Sequence, residues 1–554
     1  MRRLISISLW VLALLVGTCF TACTFHEDME MTVPSDYGKS YMKIRFSMNT
    51  QTRATASHPQ GGEDGDGREL GIYHENEVKN VMIFIFRHTD GFDAPGSTTF
   101  LYKGYFDTTS DGWQTVGDVT TVLFEVEGFE PQDNDRVIVV ANAGYRLGDI
   151  NNLEDLRDYH SYTTWQNGAT LPDNTHFVMS SAYNNGGDGI VYVSAHDGSK
   201  VDPYFSSLSI QRAAARIDFM YNNTDNLPET SPYYELLYKV TKDPDDRSSE
   251  KLGTVHLQNI IPVNLMCQPS YLIKRVTTDH AISSAIRYGA FETSTGSPVY
   301  QPTNYVIEPH TLTKETMDIP SAGTTLDSWY GSTRAKTVFD NPGTYATTSN
   351  GINKYITATN VSQSELGYFT HYMTLAYTNE NTQSKEKHDP NFMTGLLLKT
   401  IYEPVKVYKN EVTSATDLLV VDDDPTHTYA TGYTFWRYTP TKSLMEEKNS
   451  LYFSSKEAAD AYKKYHPEDL AEIVKYENGI CYYNLWLRHA NVDSDPHVTF
   501  PMEYGIVRNN IYRVGVDKFT GPGTPTPTFE GPTRVHLRIF VRPWNKRVHP
   551  EILL

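Results

Sequence analysis

The sequence predicts a mainly β protein: two consecutive β-sandwich domains, with short helical insertions in the second. Three observations carry this reading. Short apolar or alternating runs recur along the whole chain, with turn residues between them. Tyrosine is unusually frequent, at 38 of 554 residues, and Thr, Asn and Gly are abundant, which is the vocabulary of strands and turns. A chain of 554 residues is also long enough for more than one full-sized core.

The first element, 1–22, reads as an export signal. Arg2 and Arg3 precede Leu4 to Val16, a mostly apolar run of about thirteen residues, shorter than a bilayer-spanning helix requires. Phe20-Thr21-Ala22-Cys23 follows, small residues and then a cysteine, the pattern of a bacterial lipoprotein signal. Cys23 is the expected lipidation site and would hold the chain at the cell outer membrane. Cys19 is a competing acceptor, and an ordinary cleaved signal is the alternative. His26, Glu27, Asp28 and Glu30 open a polar segment directly behind.

The next element spans 23–53. From Met42 onward the chain alternates, with Met42, Ile44, Phe46 and Met48 on one face of a strand and Lys43, Arg45 and Ser47 on the other. Thr52-Arg53-Ala54-Thr55 and the glycine- and acid-rich segment His58 to Arg68 are expected to be exposed. A strand joined to its domain through such a loop can be cut off after Arg53.

The first domain, 54–228, contains three strong strand signals: Lys79 to Phe86, Asp135 to Gly144 and Leu208 to Tyr221. The polar stretch Asn222 to Ser231 sets the boundary to the second domain, 229–554. Thr254 to Ile261 begins its run of strands, and 314–365, rich in Thr, Ser, Gly and Asn, reads as long decorating loops. Ser454-Ser455-Lys456-Glu457 has capping-box spacing ahead of a helix, and Pro467 fits a first helical position before Glu468 to Tyr476, so one or two short helices are expected between strands. Tyr482 to Trp486 reads as a core strand. Val535, Leu537, Ile539 and Val541 alternate, and Pro543-Trp544-Asn545 is expected to break that strand. A last segment, about 545–554, places Val548, Pro550, Ile552 and Leu554 on one face. This tail either tucks against its own domain or waits for a partner to take it.

Composition and motif spacing exclude several functions. A formal charge of −19 argues against nucleic acid as a partner. Outside the signal only Cys267 and Cys481 remain, too few for a disulfide scaffold, and whether they pair is open. His74-Glu75-Asn76-Glu77 lacks the second histidine of a zinc-protease helix, and there is no Gly-x-Ser-x-Gly elbow or phosphate-binding glycine loop. Asp64 to Gly67 and Asp422 to Asp424 lack the spacing of a calcium loop, and His489, Asp493, Asp495 and His497 read as a polar hairpin loop. No catalytic residue, metal ligand or cofactor is expected.

Several of these segments together resemble a known family. They are Lys39-Ser40-Tyr41-Met42 ahead of Arg53-Ala54, Arg212-Ala213-Ala214-Ala215-Arg216-Ile217-Asp218, Val507-Arg508-Asn509-Asn510-Ile511-Tyr512, Gly521-Pro522-Gly523 and Val541-Arg542-Pro543-Trp544. The chain resembles the shaft subunits of Bacteroidales fimbriae, the fimbrillin or type V pilin superfamily, most nearly the major-subunit group of the short (minor) fimbriae of Porphyromonas-type bacteria. The resemblance implies transthyretin-like sandwiches and a lipidated precursor cut between Arg53 and Ala54 by a trypsin-like, arginine-specific protease. It implies that the plug strand Met42 to Met48 then leaves a groove, which the strand Val548 to Leu554 of a neighbouring subunit fills. Implied partners are other copies of the chain, anchor and tip subunits, the protease during maturation, and host or bacterial surface receptors. Two other roles compete: a tip or accessory adhesin of the same fimbriae, and a glycan-binding surface lipoprotein.

Overall fold

A computed structural model describes residues 39–48, 69–70, 75–90, 94–116, 119–161, 176–181, 190–220, 237–246, 248–266, 270–276, 306–309, 311, 372–383, 392–422, 432–440, 449–489, 504–526 and 534–545. The first half supplies β1 (Tyr41–Met48), β2 (Glu69–Leu70), β3 (Asn80–Phe86), β4 (Tyr102–Asp107), β5 (Trp113–Val116), β6 (Val119–Glu125), β7 (Arg136–Ala141), helix α1 (Leu153–Asp158), β8 (His160–Ser161), β9 (Met179–Ser181) and β10 (Tyr204–Arg212). Eight of these strands form one sheet in the order β4-β3-β7-β9-β10-β1-β6-β5.

The sheet curls on itself. Tyr102 of β4, at one end, stacks on Phe124 of β6, near the other, with ring centroids 4.9 Å apart, and Phe106 lies 5.2 Å from the same ring. The core enclosed by the curl joins Val81, Ile83 and Ile85 to Met42, Ile44 and Phe46. The outer side of β3 is covered too: Met82, Phe84 and Phe86 pack with Leu153 and Leu156 of α1. Burial on both faces explains why β3 reads as a continuous apolar run rather than an alternating one. Helix α1 is not foreseen by the sequence reading, being a single short element. Asn152 caps it by accepting from the Asp155 backbone N–H at 2.8 Å.

The second half supplies β11 (Ala215–Met220), β12 (Leu237–Thr241), β13 (Lys251–Val263), β14 (Ser270–Tyr271), β15 (Arg275–Val276), β16 (Val306–Ile307), β17 (Tyr372–Thr378), β18 (Gly395–Pro404), β19 (Phe435–Thr439), β20 (Leu451–Phe453), helix α2 (Lys456–Tyr465), β21 (Glu472–Tyr476), β22 (Ile480–Trp486), β23 (Asn510–Phe519) and β24 (Val535–Asn545). One sheet runs β17-β11-β23-β24-β2 and another β12-β13-β18-β22. They share a core: Ile217, Phe219, Tyr512 and Val514 from the first meet Val255, Leu257, Leu396, Leu398, Tyr483 and Leu485 from the second. A smaller sheet, β20-β19-β21, packs with α2 through Tyr438, Phe453, Ala458 and Ala459. No helix among the described residues is long and apolar enough to cross a membrane.

Four expectations change. Leu208 to Tyr221 is not one strand: it divides at Ala213-Ala214 into β10 and β11, which belong to different sheets, so the exchange of sheets precedes the polar stretch at 222–231. Two small residues allow the close passage that the turn between sheets needs. The segment after Pro467 makes one 3₁₀ turn, Pro467–Asp469, and then becomes β21 instead of a second helix. Leu470, in the left-handed region at φ 46°, stops the turn, and Ile473-Val474 favours a strand. The helix that does form is capped by Ser455, not Ser454, through the Ala458 N–H at 3.1 Å. Finally, β24 runs through Pro543 to Asn545. Pro543 faces Asn510, the first residue of β23, where a missing donor interrupts little of the ladder.

Cys481 is a buried free thiol whose Sγ lies 3.0 Å from the Thr400 hydroxyl. Cys267 and the decorating segment 314–365 lie outside the described residues.

Candidate functional site

β1 is the centre of the candidate site. It is parallel to β10, from Met42 opposite Tyr204 to Met48 opposite Ile210, and antiparallel to β6, from Tyr41 opposite Glu125 to Ser47 opposite Val119. Both of its edges are therefore taken. The strand is tied at its start as well: the Tyr41 N–H donates to the Gly198 carbonyl and the Val126 N–H to the Ser40 carbonyl, each at 2.7 Å.

The alternation read from the sequence is the alternation in space. Met42, Ile44 and Phe46 are buried in the core of the curled sheet, while Lys43 and Arg45 are exposed. Met48 pairs through its backbone, and its side chain lies outside the described residues. At about 1.5–3 kcal/mol for each fully buried apolar side chain, these three contribute at most about 5–9 kcal/mol. Without β1, strands β6 and β10 would face each other across an open slot, each with a row of unmet backbone groups, over Val122, Phe124, Leu208 and Ile210. Such a slot accepts a strand of alternating apolar side chains and little else.

Phe46→Ala is expected to destabilise the first sheet by about 3–5 kcal/mol, the usual loss for a buried Phe. Lys43→Ala should stay within about 0.5 kcal/mol. Urea unfolding of the precursor, followed by tryptophan fluorescence, separates the two. Equal midpoints would remove β1 from the core.

The remaining sequence-predicted site residues, Cys23, Arg53, Ala54, Val548, Pro550, Ile552 and Leu554, lie outside the described residues. The chain on either side of them is informative. After Arg53 the description resumes at β2, and before Val548 it stops at the end of β24. These two pieces pair in parallel, Glu69 with Trp544 and Leu70 with Asn545.

A second constellation lies where the two halves meet. Glu75, Asn76, Arg212, Arg216, Asp218, Arg508, Asn509 and Arg513 are all buried. Arg216 donates to both carboxylate oxygens of Glu75, at 3.0 and 2.8 Å, and to Asp218 at 2.9 Å. The Tyr377 hydroxyl donates to Glu75 at 2.6 Å. Arg212 donates to the Glu75 carbonyl at 2.8 Å, to Asn509 Oδ1 at 3.1 Å and to Asn76. Arg508 donates to Glu380 at 2.7 Å and to the carbonyls of Leu272 and Tyr271. Burial pulls the Arg212 guanidinium down to about 9, with Glu75 opposing the shift, so it stays charged at neutral pH. Burial first, and then the Glu75 charge, holds the Tyr377 phenol well above its ordinary value, which keeps it a donor.

The segments Arg212 to Asp218 and Val507 to Tyr512, far apart in sequence, thus meet: the Asn509 N–H donates to the Ala214 carbonyl at 2.7 Å. Sequence reasoning missed Glu75 and Asn76, setting them aside as part of a failed metal motif. The available signal was two arginines and an aspartate inside an otherwise apolar run, which require buried acceptors from elsewhere. His489 is likewise a packed residue, with Nδ1 2.8 Å from the Tyr512 hydroxyl; His497, Asp493 and Asp495 lie outside the described residues.

Residues 474–549 match the family model for the major fimbrial subunit protein type IV, fimbrillin, C-terminal, a span that takes in β22, β23 and β24. No curated protein matches the chain. Among solved structures, the tip fimbrial protein Mfa3 from Porphyromonas gingivalis, with C-terminal truncation, aligns at 10% identity over 91% of this chain and 100% of that one, with a TM-score of 0.32. A candidate cell adhesion protein from Parabacteroides distasonis aligns at 10% identity over 92% and 98%, with a TM-score of 0.36. Another, from Bacteroides eggerthii, aligns at 10% identity over 92% and 97%, with a TM-score of 0.35.

Proposed function

We propose, from the premise that this chain is a member of the fimbrillin family and a subunit of cell-surface fimbriae, that it forms the fimbrial shaft and polymerises by protease-triggered strand exchange. The precursor is lipidated at Cys23 and reaches the outer membrane with β1 in its slot. An arginine-specific protease cuts between Arg53 and Ala54, and β1 leaves with the lipid. Val548, Pro550, Ile552 and Leu554 of a neighbouring subunit then enter, their alternate side chains taking the places of Met42, Ile44, Phe46 and Met48. The mature body divides into two domains, expected from the sequence over 54–228 and 229–554, with the change of sheet at Ala213-Ala214 moving that boundary forward to the start of β11.

The observation that carries this reading is the position of β1. It is central, paired on both edges and buried on one face, yet it is connected to the rest of the chain through the segment that contains Arg53. An ordinary core strand gains nothing from such a connection. A removable one requires it.

Deleting 548–554 tests the donor assignment. The expected product is a folded, cleaved monomer that makes no fibres in negative-stain electron microscopy; fibres of normal length would eliminate the tail as donor. In the unmodified protein, antibody label along the whole fibre is the shaft result, and label confined to the fibre end is the tip result.

A further inference from the structure

We propose that Arg45, in the middle of β1, is a second cleavage site, hydrolysed by the same class of arginine-specific protease only after β1 has left its slot. The inference rests on the removal of β1 set out under Proposed function and adds the fate of the strand once it is out.

Two features of Arg45 point in opposite directions while β1 is in place. Its side chain is exposed, so the group such a protease recognises is already on the surface. Its backbone is not available, being paired with Ser207 on one side and Thr121 on the other. A protease that takes its substrate as an extended strand adds it to its own sheet edge, and so needs at least one free edge of the substrate. β1 has none. Ile44 and Phe46, which flank Arg45 and would have to enter the protease cleft with it, are buried in the core. The folded slot therefore shields a bond that the sequence otherwise offers.

Release reverses this. In the freed peptide both edges open, and Arg45 becomes an arginine in an extended, unpaired segment. Between Cys23 and Ala54 the chain has only two arginines, Arg45 and Arg53. Lys39 and Lys43 add positive charge but are not substrates for an arginine-specific enzyme. Water adds across the bond between the Arg45 carbonyl carbon and the Phe46 nitrogen, leaving a carboxylate on Arg45 and an amine on Phe46. Nothing is oxidised or reduced.

The cut divides the face that fills the slot. Met42 and Ile44 remain on one fragment, and Phe46 and Met48 on the other. Each fragment retains about half of the apolar side chains and half of the ladder, so neither competes with a complete donor strand. An intact plug would be a standing inhibitor of assembly. Destroying it makes the exchange one-way.

Purified precursor treated with a trypsin-like, arginine-specific protease and sampled over time by intact-mass spectrometry tests the order of events. The body starting at Ala54 should appear first, with the strand ending at Arg53 whole and still bound. Fragments ending at Arg45, and the peptide Phe46 to Arg53, should follow, and an excess of a synthetic 548–554 peptide should accelerate them severalfold by displacing the strand. Arg45→Lys, a change at an exposed position, should leave the first cut alone and let the whole strand accumulate, slowing polymerisation. Cleavage after Arg45 as fast as after Arg53 in the precursor without added peptide would overturn the proposal, and so would a displaced strand that stays whole. A product series with no Ala54 terminus would instead overturn the removal of β1 itself.

Discussion

Arg53→Gln is expected to stop fibre formation outright while leaving a folded subunit. The uncut strand remains covalently linked, so a donor from another molecule must compete with an intramolecular occupant. A covalent tether gives such an occupant an effective concentration of about the millimolar range, far above that of a secreted subunit. The donor would also have to displace Met42, Ile44 and Phe46 from a core in which each is already buried. Native gels should show one monomeric species, amino-terminal sequencing should find no Ala54 terminus, and electron microscopy should find no fibres. Fibres assembled from the uncut variant would defeat the strand-exchange reading, because the slot would still be full.

Glu75→Ala is expected to be the most destabilising single change outside the apolar core, at about 3–5 kcal/mol. It removes the acceptor for the two Arg216 bonds to Glu75 and for the Tyr377 hydroxyl, and leaves Asp218 as the carboxylate beside Arg216 and Arg513. The cost arises from a cation left in a dry site with its bidentate carboxylate removed and Asp218 still bound to it. Glu75→Ala combined with Arg216→Leu should therefore be less destabilised than the two single changes added together, a coupling that a double-mutant cycle in urea measures. Strict additivity would mean that the two side chains do not act as a pair. Because Glu75 lies shortly before β3 of the eight-stranded sheet whereas Arg216 and Asp218 belong to β11 of another sheet, the loss should also loosen the junction between the two halves, seen as faster hydrogen exchange in β11.

The legible parts of the sequence were those in which one physical signal dominates. Met42 to Phe46 alternates because one face is buried and the other wet, and the structure has it so. Lys79 to Phe86 reads as buried because both sides of β3 are covered. Where two signals overlapped, the reading went wrong. Leu208 to Tyr221 keeps its apolar content across a change of sheets, so its periodicity gives no sign of the division at Ala213-Ala214. Pro467 satisfies the rule for a first helical residue, but the residues behind it prefer a strand. The buried charges were hardest to place, since Glu75, Arg216 and Asn509 acquire meaning only once the fold has brought them together. Pattern reading has no access to partners that distant in the chain.

The way β24 sits in its sheet has a mechanical consequence. It runs antiparallel to β23 along its length and ends at Asn545, immediately before the tail assigned to the next subunit. Tension on that tail pulls β24 along its own axis. Its ladder to β23 is then loaded in shear, so many hydrogen bonds resist together instead of opening one at a time. From β23 the load passes to β11 through their parallel pairing, and across Ala213-Ala214 to β10, a wall of the slot that, under the proposed strand exchange, would hold the neighbouring subunit. The force path through each subunit is thus short and stiff, crossing two ladders and one covalent turn, and it bypasses the satellite sheet around α2.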